Sequence, residues 1–124
     1  MALTQTPPDN PFEQHIFKQT AVGTTADTFL GGQYPITLKS LNLKESSGSG
    51  VCSLKLYDSA GDGLSVGSST PVCILKTPAS GNLTYEFVEG GEFLNGLSWG
   101  GAKEDGTAAT TAPDASTQVL ARAE

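Results

Sequence analysis

The chain has one histidine, two cysteines and only seven basic residues among 124, and each scarcity removes a class of chemistry. A lone His15 cannot build a histidine-based zinc site within one chain, because such sites need clustered ligands. Nucleophilic catalysis needs a base beside a Ser or Cys, and no Gly-x-Ser-x-Gly elbow occurs. Two cysteines, Cys52 and Cys73, are too few for a disulfide scaffold. Seven Lys/Arg against 13 Asp/Glu leave a net charge of −6. With no basic cluster, the positive charge that nucleic acid or an anionic membrane surface demands is missing. No apolar run is long enough to span a bilayer. Residues Met1 to Pro8 lack the basic and apolar regions of a signal peptide, so synthesis in the cytoplasm without export is expected.

What fills the chain instead is glycine (15), with serine and threonine beside it, together about a third of all residues. These are weak helix formers and ready turn and pleated-surface formers. Residues 1–17 carry Pro7, Pro8 and Pro11, which suit an extended N-terminal arm. Within it Phe12 to Lys18 reads as a helical turn or a first strand, and β-branched Thr20 and Val22 favour the strand. From Tyr34 a period of two takes over. Ile36 and Leu38 point one way, then Leu41 and Leu43 the other, which fits a β-bulge at Lys39-Ser40 or a strand buried on alternate faces. Val51 to Tyr57 reads as a strand with Cys52, Leu54 and Leu56 on one face and Ser53 and Lys55 on the other. Residues 58–71 form a long loop from which Leu64 and Val66 dip toward the core. Short strands follow at Val72–Leu75, Leu83–Val88 (burying Leu83, Tyr85 and Phe87), Leu97–Trp99 and Gln118–Arg122, with a loop over 100–117. Strands of this length and spacing predict one antiparallel β-sandwich or small barrel over residues 18–124.

Motifs that carry chemistry are weak. Cys52 and Cys73 read as two buried thiols, or as a bridge if their strands pair. Asp58-Ser59-Ala60-Gly61-Asp62-Gly63 has the start of a calcium loop but lacks an oxygen ligand at Ala60 and the closing Glu at Ser69. Glu86, Glu89 and Glu92 read as a solvated face rather than paired catalytic carboxylates. Trp99 is either core or, with Tyr34 or Tyr85, a platform for surface recognition of a sugar. No active site, metal or cofactor is expected.

Leu54-Lys55-Leu56-Tyr57-Asp58 leads to Val66-Gly67-Ser68-Ser69-Thr70-Pro71-Val72. Pro78-Ala79-Ser80-Gly81 and Glu92-Phe93-Leu94-Asn95-Gly96-Leu97-Ser98 follow. This succession, over residues 36–122, resembles a group of small tailed-bacteriophage virion proteins. Gly81 and Gly96 would serve its turns, and Trp99-Gly100-Gly101 stands where that group tends to keep threonine. The resemblance implies a jelly-roll β-sandwich on the capsid exterior, a decoration (cement) or head-fibre protein. Its implied partners are the major capsid protein and further copies of itself, foremost as a trimer. An apolar, proline-rich arm suits strand addition, so Pro7, Pro8, Phe12, Ile16 and Phe17 are candidate contacts to a neighbouring subunit. The same residues would otherwise cap the open end of the domain's own sandwich. The alternative functions are a receptor- or glycan-binding fibre module using Trp99, and a tail or collar component.

Overall fold

Short alternating runs cannot satisfy their backbone N–H and C=O groups alone, so they must pair with one another. In the computed structural model, which describes residues 3–6, 15–19, 23–29, 35–45, 53–76, 81–103 and 118–123, nine strands do so. They are β1 (Leu3–Thr6), β2 (His15–Gln19), β3 (Asp27–Thr28), β4 (Ile36–Glu45), β5 (Ser53–Asp58), β6 (Cys73–Lys76), β7 (Gly81–Phe93), β8 (Leu97–Ala102) and β9 (Gln118–Ala123). Five lie in one sheet, in the order β1-β2-β9-β4-β7. The other four follow the order β3-β8-β5-β6.

With β1 set aside, the antiparallel partners are β2 with β9, β3 with β8, β4 with β7 and β5 with β6. The chain is one long two-stranded ribbon folded over at the β5–β6 connection. Successive ribbon segments alternate between the two sheets, which is the order of a jelly roll. The all-β sandwich expected from the alternation is therefore present, in its jelly-roll form.

Between the sheets the inward residues of both meet. Phe17, Leu38, Leu41, Leu43, Val119 and Ala121 come from the five-stranded sheet, and Leu54, Leu56, Leu97 and Trp99 from the other. Phe29, just after β3, stacks on Phe17 at 4.8 Å and meets Trp99 at 4.1 Å between ring centroids. Such aromatic pairs add about 0.5–1.5 kcal/mol each to the area they bury. The parity slip in β4 is a true bulge: Leu38 lies opposite Ala123 and Ser40 opposite Arg122, so Lys39 is the extra residue. The bulge lets Leu38 and Leu41 both face inward. Across from it, β7 runs from Glu86 to Gly91 against the same short step, and Val88 projects there, 99% exposed. Tyr85 and Phe87 are partly buried at this rim, whereas Leu83 is 38% exposed. The Tyr85 hydroxyl donates to the Lys76 carbonyl (3.0 Å), joining the β7 and β6 edges of the two sheets.

Three expectations are corrected. The boundary at residue 17 falls inside β2, which pairs with β9 within the sheet. Phe17 consequently fills the domain's own core rather than a neighbour's surface, because its place in the alternation faces Leu41 and Ala121. Trp99 is fully buried, and its indole N–H donates to Gln19 Oε1 (2.7 Å) beneath the sheet surface, so it offers no stacking platform. Gly96 adopts φ +122°, as its turn requires, while Gly81 opens β7.

Candidate binding face

Alternation gives every sheet an outer face, but the two outer faces of this sandwich have opposite fates. On the four-stranded sheet, Ser53, Lys55 and Tyr57 of β5 and Ser98 of β8 are all buried. The chain roofs this face itself. Val66, from the segment between β5 and β6, sits above Gly100, where a Cβ would come within 2.5 Å of the valine methyl. Only glycine permits that approach. Two hydroxyls under the roof, Ser53 Oγ and Tyr57 Oη, have no hydrogen-bond partner among the described residues. Burial pushes the Tyr57 phenol above its ordinary range.

Among the described residues, none roofs the outer face of the five-stranded sheet. The register places its outward residues in rows that run across the strands. Ile16, Arg122, Ser40 and Glu86 form one row; Lys18, Leu120, Asn42 and Thr84 the next; Gln118, Lys44 and Asn82 a third. Lys18, Lys44, Thr84, Glu86, Leu120 and Arg122 are all exposed. Six residues of the first two rows, on β4, β7 and β9, line a shallow groove of about 210 Å³: Ser40, Asn42, Thr84, Glu86, Leu120 and Arg122. Its polar groups are positioned as well as present. The Asn42 amide donates to Thr84 Oγ1 (2.9 Å), which leaves the amide oxygen as an acceptor and the threonine proton as a donor.

The candidate residues expected from the sequence fall elsewhere or drop out. Pro7, Pro8, Phe12 and Cys52 lie outside the described residues. Ile16 is half-buried at the end of the first row, and Phe17 and Trp99 are core. Cys73 is a free thiol opposite Leu56, its ionisation pushed up by burial. The Asp58 carboxylate accepts from the Asn95 backbone N–H (2.7 Å), and Ser59 Oγ accepts from the Gly61 N–H, so this loop start is tied into turns. No group of three His, Cys, Asp or Glu suited to a metal ion occurs among the described residues. Of the three glutamates, Glu86 reaches the groove, and Glu89 and Glu92 are exposed on the same edge strand. Sequence reading missed Ser40, Asn42, Thr84, Leu120 and Arg122. Each stands on the outward half of a recognisable strand, and only the strand order brings the three halves together. Compared with known proteins, the chain matches no family model, no curated protein and no solved structure.

Proposed function

We propose that this chain is a structural protein of a tailed-bacteriophage virion, binding the major capsid protein on the capsid exterior and stabilising the shell. One observation carries the reading. The eight strands β2–β9 complete a jelly roll by themselves, and β1 is an additional N-terminal strand laid on the sheet edge. A strand that the fold does not need is the natural piece for pairing with a neighbour, where main-chain bonds give affinity. The jelly roll is an architecture shared by capsid and lectin domains, and the motif order over residues 36–122 resembles the virion group. In this reading the protein works by contact, in many copies whose weak contacts sum to high avidity, and as a symmetric homo-oligomer.

The test mixes the purified protein with capsids that lack it. Saturable binding that raises the temperature at which the shells open is expected, and removal of residues 1–6 should weaken that binding by tenfold or more. Shells that take up no protein, or that open at an unchanged temperature, would refute the reading.

A further inference from the structure

We propose that the groove on the open face is a binding site for a saccharide unit. Arg122 and Glu86 stand in one row on either side of Ser40. Their strands are separated by two inter-strand spacings, or about 10 Å. Neither side chain enters an ion pair within the described residues. The groove thus holds a guanidinium and a carboxylate set apart by the width of a hydroxyl-bearing ring, neither hydrogen-bonded to another described residue. A carboxylate accepts from two vicinal hydroxyls at once, and a guanidinium donates to a ring oxygen, a hydroxyl or a sugar carboxylate.

Between these two groups and in the adjacent row, the floor supplies both senses of hydrogen bond. Ser40 donates and accepts, and the Asn42–Thr84 bond leaves one acceptor and one donor in fixed positions. A ligand that alternates O–H donors and oxygen acceptors around its rim satisfies this set; an ordinary apolar ligand does not. Leu120, 39% exposed between Lys18 and Asn42, offers the single apolar contact that a sugar ring's C–H face needs. The groove is also small for its class. At about 210 Å³ it falls below the pockets that engulf drug-sized ligands, so it fits one ring of a longer chain lying open to solvent. The contrast with the other sheet favours this face, because the four-stranded sheet spends its outward polar residues beneath its own roof.

Two series of saccharides, neutral and carboxylated, separate the two sources of the same chemistry. Each is titrated into isotopically labelled protein to about 10 mM, tenfold above a dissociation constant of ~1 mM. Binding of a member of either series should shift the backbone amides of Ser40, Asn42, Thr84 and Arg122 and saturate. Glu86→Gln should weaken a neutral sugar about tenfold, and Arg122→Ala a carboxylated one by as much. Glu92→Gln, on the same strand outside the groove, should leave both unchanged. All three positions are exposed, and circular dichroism checks that each variant keeps its fold. The proposal is overturned if neither series shifts these amides, if binding survives both groove substitutions, or if only an acidic peptide of matched charge binds. Because no capsid is involved, failure here leaves the virion reading standing, and failure of the capsid experiment leaves this one.

Discussion

At the scale of single residues, Gln19 joins the two sheets. Its side chain is buried. The amide oxygen accepts from the Trp99 indole (2.7 Å), and the amide nitrogen donates to Asp27 Oδ2 (2.6 Å). Three polar groups from β2, β3 and β8 thus satisfy one another inside an aromatic cluster. Replacing Gln19 with leucine strands the indole N–H in an apolar environment, at a cost of about 1–3 kcal/mol. Urea denaturation should show that loss for Gln19→Leu. It should also show less than additive loss for Gln19→Leu with Trp99→Phe, since the second change removes the orphaned donor. Equal and additive losses would mean that the pair is not coupled. None of this is legible in the sequence, because a glutamine in a strand carries no signal of what it faces. The burial of Lys55 is hidden for a related reason. Period two separates two faces but does not say which of them the chain will roof.

At the scale of elements, legibility depends on length and on parity. β4 spans ten residues, and its switch of apolar parity at Lys39-Ser40 announces the bulge that the register contains. β3 has two residues, too few for any period, and its place beside β8 comes from tertiary pairing. The N-terminal segment is hardest, because its prolines mask the pairing of residues 3–6 with 16–19. β1 and β2 therefore have different standing. Deleting residues 1–6 should leave the circular dichroism spectrum β-rich and the thermal transition cooperative. Deleting residues 1–19 removes Phe17 together with the strand between β1 and β9, and that chain should not fold. Truncating Phe17 to alanine alone should cost about 3–5 kcal/mol. A folded 20–124 fragment would contradict the place given to β2.

At the scale of the whole molecule, the jelly roll has one sheet roofed by its own chain and one that no described residue covers. An extra strand lies on one sheet edge, and a polar groove crosses the outer face of the five-stranded sheet. The net charge is −6, and Glu86, Glu89 and Glu92 stand exposed along the β7 edge. The sandwich is legible in the sequence because alternation and turn spacing are local; the open face is not, because it exists only once β2, β9, β4 and β7 lie side by side. The central claim is that this fold serves by repeated contact with a viral shell. Electron cryomicroscopy of intact particles tests it most directly. The predicted result is jelly-roll density repeating over the whole outer surface with the symmetry of the capsid, β1 lying against a neighbouring chain. Density confined to a tail, collar or fibre, or particles without the protein at all, would contradict it.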